Sequence, residues 1–194
     1  MKIRIVHFIL MIGLFFYLPG LAKAHLLKDE EVRSKVYLTK EQALKLSFPE
    51  EDKVVTQKIW LDQNHRNFIS DLTGENFNKR RQKVYVGKKG KKTTGLAMFG
   101  QINIPNQHPI IFKYMVVFQP EGKIKKVVIL EYQGLQRDEI VSEKFLSQFN
   151  GKDANSDFQK VDSNQGVTIA VQVLTKEVLK LAAIFHTYLA SLNN

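Results

Sequence analysis

Cysteine is absent from the 194 residues, so disulfides, thiolate metal sites and cysteine nucleophiles are all excluded. A chain of this length can rely on its apolar core instead. A Gly-rich phosphate loop, a dinucleotide-binding glycine fingerprint and an HExxH helix are missing too. The five histidines are scattered, and His108 before Pro109 and His186 near the C-terminus have no partner at ligand spacing. They read as turn and surface residues rather than metal ligands. The acidic run Glu50-Glu51-Asp52 falls in an expected loop, where solvated charge is the default. A hydrolase therefore has no constellation to stand on. Internal repeats and low-complexity linkers are also lacking, and the length suits one domain.

What is present begins with ordinary globular composition, 44% hydrophobic and 25% charged. The first 24 residues stand apart. Lys2 and Arg4 precede an apolar run from Ile5 to Leu18, Pro19-Gly20 breaks it, and Ala22-Lys23-Ala24 places small residues where a signal peptidase cuts. The run is short for a spanning helix. The expectation is a signal peptide over residues 1–24, a mature chain starting near His25, and export to the periplasm or outside the cell. Loss of Lys2, Arg4 and Lys23 would take the formal net charge from +10 to +7. Much of that excess sits in Lys79-Arg80-Arg81-Gln82-Lys83 and Lys88-Lys89-Gly90-Lys91-Lys92. It reads either as a solvated hairpin turn or as attraction to an anionic surface or partner. Aromatics do not interleave with the lysines, so a nucleic-acid partner is not expected.

The remaining residues, 25–194, read as one α+β unit, with 25–75 as its N-terminal helical and extended part. Thr39-Lys40-Glu41-Gln42 is a capping-box pattern opening a helix that stops before Pro49. A strand is expected over Lys53–Leu61, then a short helix capped by Asp62, with Phe68, Ile69 and Leu72 on one face and Gly74 closing it. Further strands are expected at Val84–Val86, Thr94–Ile104, Ile110–Phe118 and Ile124–Tyr132, the last two joined by the turn Gln119-Pro120-Glu121-Gly122. Short turns between neighbours imply an antiparallel sheet. A helix over Glu139–Phe149, a polar loop and a long helix from Val167 to Leu192 complete the chain. Val171, Leu174, Val178, Leu181, Phe185 and Tyr188 form the buried stripe of that last helix.

At its mouth stands Asp162-Ser163-Asn164-Gln165-Gly166-Val167-Thr168. A hydroxyl in a first helical turn sits among unsatisfied N–H groups, a favourable place for a phosphate dianion, and Gly166 lets backbone approach it closely. On spacing alone the plain N-cap is the better reading, with Asp162 or Ser163 capping, Gly166 turning and Thr168 starting the helix.

The segment resembles the flavinylation motif of the FMN-binding domain family, which reads Asp, two variable residues, Ser or Thr, Gly, Ala and a terminal Thr or Ser. Asp162, Gly166 and Thr168 match; Gln165 and Val167 replace the usual Ser or Thr and Ala. Similarity continues through Tyr37–Pro49, Tyr114–Lys123, Val128–Tyr132, Asp138–Ile140 and Phe145–Lys152, covering most of residues 36–190 in family order. Gln133 and Gly134 stand where an Arg-Glu pair is usual, and Arg137 where a Gly is common. The family includes extracytoplasmic subunits of sodium-translocating NADH:quinone reductase and of the Rnf complex, and small secreted flavoproteins.

The resemblance implies covalent FMN, held as a phosphoester on Thr168 and installed by a Mg-dependent flavin transferase that draws on FAD. It implies Asp162, Ser163, Gln165, Gly166 and Val167 around the attachment, Glu131 and Tyr132 near the flavin, and a membrane-bound or secreted redox partner. No residue is expected to act as catalytic acid or base, and the function implied is extracytoplasmic electron transfer. The alternatives are a cofactor-free binding module that keeps the fold, and a basic secreted protein that binds polyanions.

Overall fold

The computed structural model describes residues 34–104, 110–134, 137–162 and 169–192. The expected signal segment, His108 and residues 163–168 lie outside these.

The architecture is α+β, built on a six-stranded antiparallel sheet. In chain order the strands are β1 (Lys35–Val36), β2 (Lys53–Trp60), β3 (Arg81–Lys89), β4 (Lys92–Ile104), β5 (Ile110–Phe118) and β6 (Ile124–Gln133), and their order in space is β1-β6-β5-β4-β3-β2. Helix α1 (Lys40–Ser47) lies between β1 and β2, and α2 (Gln63–Thr73) lies between β2 and β3. After β6 come α3 (Arg137–Ile140), α4 (Glu143–Leu146), a 3-10 turn (Ser147–Phe149) and the 24-residue helix α5 (Ile169–Leu192).

The local signals act as their chemistry requires. The Thr39 hydroxyl accepts from the Gln42 N–H at 3.2 Å while the Gln42 side chain accepts from the Thr39 N–H at 2.8 Å, a complete capping box. The Asp62 carboxylate caps α2 through the His65 N–H at 2.9 Å, and Gly74 ends that helix in the left-handed region. The Gly122 N–H donates to the Gln119 carbonyl at 3.0 Å, closing the turn between the paired strands β5 and β6.

Two expectations are corrected. The stretch 139–149 is not one helix: Ser142 interrupts it in an extended conformation. Its hydroxyl donates to the Glu139 carbonyl at 2.7 Å and accepts from the Phe145 N–H at 3.2 Å, ending one short helix and capping the next. Leu72 is not on the buried face of α2 and is 37% exposed; Ile69 and Thr73 face inward instead, with the Thr73 hydroxyl donating to the Ile69 carbonyl at 2.7 Å.

Two cores follow from the sheet's two faces. On one, α5 lays Val171, Leu174, Val178, Leu181 and Phe185 against Met98, Phe112, Tyr114, Val116 and Phe118, all buried; Tyr188, the last residue of the expected stripe, is half-buried at its edge. On the other, Ala43 and Phe48 of the α1 region cover Tyr85, Ala97, Met115, Val117 and Leu130. Among the described residues no helix is long and apolar enough to cross a membrane.

Candidate functional site

The approach to helix α5 is held by side chains spread over 148–161. Ala154, Phe158 and Val161 are buried within a loop of mostly polar residues, and the Phe158 ring lies 6.3 Å from that of Phe149. Gln148 clasps the backbone of Asp162 from both sides. Its amide donates to the Asp162 carbonyl at 2.7 Å, and its side-chain oxygen accepts from the Asp162 N–H at 3.1 Å. A side-chain amide used this way imitates a strand neighbour and fixes where residue 162 sits. Asp162 is therefore placed, while Ser163, Gln165, Gly166, Val167 and Thr168 lie outside the described residues. The described backbone resumes at Ile169, which is 59% exposed, with Ala170 and Val171 turned into the core.

Glu131 and Tyr132 are both present on β6, but on opposite faces of the sheet, as neighbouring strand residues must be. Tyr132 is fully buried, its ring 4.6 Å from that of Phe112 beside the α5 core. Burial, and then the neighbouring Tyr37 hydroxyl, push its phenol up to about 12 against the opposing pull of Arg137. Glu131 faces the other way, where the Lys113 ammonium and the Ser34 hydroxyl each donate to its carboxylate at 2.5 Å. Those two hydrogen bonds, Lys113 first, hold the carboxyl below its ordinary range. The two residues thus cannot line one face of a flavin together.

A cleft of about 730 Å³ opens where β3 and β4 part. Their pairing ends at Tyr85 and Ala97, after which β3 continues with β2 alone and β4 with β5 alone. Phe99, Gly100 and Gln101 form one side of the opening, and Phe77, Lys79 and Gln82 the other. Gly100 is needed there because the Tyr114 ring crosses it; a Cβ would fall 2.1 Å from the Tyr114 hydroxyl. That hydroxyl donates to Glu177 Oε2 at 3.1 Å. Glu177 pairs in turn with Lys180, and Glu75 bridges Lys180 at 2.9 Å and Lys176 at 3.0 Å. Burial and the Glu177 charge push the Tyr114 phenol well above its ordinary value. Burial works against the Lys180 ammonium, but hydrogen bonds to Glu177 and Glu75 outweigh it and raise its pKa. Glu131 and Glu177 both touch this cleft, yet Glu177 lies eight residues along α5 from Ile169, about 12 Å at 1.5 Å per residue.

Neither a protein-family model nor a curated protein matches the chain.

Two features of this region escape the sequence patterns. Gln148 is an ordinary polar residue until the chain returns to it from 162. The cleft depends on where pairing stops, although a glycine such as Gly100 within an expected strand is a signal that marks a close approach. His186 is exposed and stacks on Phe68 at 5.5 Å.

Proposed function

We propose that this chain is an exported flavoprotein that carries FMN as a phosphoester on Thr168 and passes electrons outside the cytoplasm. The observation that carries the proposal is the position of the Asp162–Thr168 motif. It starts at a backbone clasped by Gln148, and the described part of a long helix begins at Ile169, the next residue after its last. A helix start favours a phosphate dianion through its free N–H groups and dipole. Ile169 is exposed while Ala170 and Val171 are buried, so this end of α5 has an open side where a tethered group fits.

Attachment would join the Thr168 hydroxyl oxygen to the FMN phosphorus of FAD. The bond from that phosphorus to AMP breaks, AMP leaves and the hydroxyl proton passes to solvent. A separate Mg-dependent transferase would perform this step. The bound flavin supplies a ring that takes up and releases electrons; the protein supplies tether, burial and tuning. Gln148 would act as a positioning residue, holding the segment that the transferase reads.

A second reading, a cofactor-free binding module, is favoured by a specific observation: Glu131 and Tyr132 are committed to a salt bridge and to the core. Expression through an export route with an active flavin transferase separates the two. The flavin reading expects yellow protein whose denatured mass is raised by one FMN less one water, mapped to the peptide containing Thr168. Thr168→Ala should abolish the addition and Thr168→Ser retain part of it. Colourless wild-type protein made with an active transferase would overturn the flavin reading, and covalent flavin surviving in Thr168→Ala would move the attachment elsewhere.

A further inference from the structure

The second face of the sheet is covered by α1 over its middle strands, but not over β2 and the start of β3. There the antiparallel register sets Trp60 opposite Arg81 and Lys58 opposite Lys83, all four exposed. Trp60 is 68% exposed, with the Arg81 guanidinium 5.4 Å from its ring centre. Lys40, whose ammonium sits 4.7 Å from the Tyr85 ring, continues the positive strip toward the middle of the sheet. Neither β2 nor β3 contains an acidic residue. Glu50 and Asp52 engage the β3–β4 hairpin tip, at Lys89 and the Gly90 N–H. Among the described residues none of Lys40, Lys58, Arg81 and Lys83 forms an ion pair with a carboxylate.

Edge protection accounts for part of this, because β2 is an edge strand and charged residues there discourage pairing with another chain. It does not account for setting Lys83 directly opposite Lys58, nor for a large aromatic left in solvent. Like charges directly opposite one another also cost stability, so the pair Lys58–Lys83 works against the fold. We infer that this face docks on an anionic lipid surface, with Lys58, Arg81 and Lys83 meeting head groups and Trp60 entering the interfacial layer. An exposed tryptophan ringed by cations is the composition that the head-group region accepts: an amphipathic ring at the interface and basic groups against negative charge. A single aromatic gives no stacking ladder for successive bases, which disfavours a nucleic-acid strand. The inference does not rest on the flavin.

Trp60 is the chain's one tryptophan, so its fluorescence reports this face directly. The experiment adds phosphatidylcholine vesicles, with or without phosphatidylserine, to the purified chain, reading vesicle sedimentation and Trp60 emission together. With phosphatidylserine the expected results are binding that weakens with salt, a blue shift, and protection from a soluble quencher. Pure phosphatidylcholine should give none of these. The Lys58→Gln, Arg81→Gln, Lys83→Gln triple variant should bind the mixed vesicles about a hundred-fold more weakly, at roughly five-fold per basic side chain. Its far-ultraviolet circular dichroism should match the wild type. Binding to both vesicles alike, an unshifted Trp60 on bound protein, or an unaffected triple variant would overturn the inference. So would tighter binding to single-stranded DNA than to the charged vesicles at equal salt, which would give the face to nucleic acid.

Discussion

The two ends of one sheet are built differently. Strands β4 and β5 are sandwiched, with α5 on one face and the α1 region on the other, and their central residues Met98, Met115, Val116 and Val117 are wholly buried. Strand β2 and the first half of β3 are covered on one face only: Ile59, Gln82 and Val84 point inward while Lys58, Trp60, Arg81 and Lys83 point to solvent. The sandwiched end is placed to supply stability. The open end keeps a like-charge pair and a bare tryptophan, features that folding does not require. The difference teaches that the residues spared from packing are where interaction chemistry is to be sought.

The sharpest way to break this comparison is truncation in the sandwiched end. Leu174 is fully buried on α5, and Leu174→Ala should cost about 2–5 kcal/mol, from lost apolar transfer and the cavity left behind. Trp60→Ala, a larger truncation at the open end, should cost less than about 1 kcal/mol, the scale of an exposed cation–π contact. Urea unfolding of both variants checks the pair, and equal losses would mean that the open end is also structural.

An intermediate effect is expected at the seam that ties the 74–80 segment to α5. Hydrogen bonds from Lys180 and then Lys176 hold the Glu75 carboxyl below its ordinary value. A lowered folded pKa adds stability that is present above the unfolded value of about 4.5 and is lost as pH falls through the folded one. Unfolding midpoints should therefore fall as the solution is acidified below that range. The fall should be shallower in Glu75→Gln but not abolished, because Glu131 titrates with the same sign. Identical acid profiles for wild type and variant would remove Glu75 from the account.

The smallest effect carries the opposite sign. Lys83→Glu turns a repulsive cross-strand pair with Lys58 into an attractive one, and should stabilise the fold by roughly 0.2–1 kcal/mol. The same change should weaken vesicle binding. Thermal melting beside the vesicle assay sharpens the comparison: a variant that gains stability and loses binding separates the two roles of one lysine.

Much of this fold was legible in the residues. The capping box at Thr39, the caps at Asp62 and Gly74, the Gln119–Gly122 turn and the stripe on α5 rest on contacts within a few residues, and these the sequence spells out. The strand pair Ile110–Phe118 and Ile124–Gln133 was legible for the same reason, being joined by its own turn. Strand β1 was not, because two residues carry no alternation and are ordered only by pairing with Glu131 and Tyr132. Nor was the break at Ser142, where a hydroxyl hydrogen bond outcompetes a helical pattern that Ile140, Phe145 and Phe149 otherwise support. Within the candidate site, Gln148's grip on Asp162 was not legible, because it needed the chain to fold back.

The sequence by itself determined the α+β class, the ends of α1 and α2, the hairpin and the α5 stripe, because periodicity and cap chemistry act over one or two turns of chain. Only the tertiary structure decided which face of the sheet Tyr132 and which Glu131 occupies, and that β3 and β4 part after Tyr85 and Ala97 to open a cleft. It alone left Lys58, Trp60, Arg81 and Lys83 without a covering layer. Those outcomes depend on which strands stay paired and which faces the helices reach, quantities set by contacts between residues far apart in the chain.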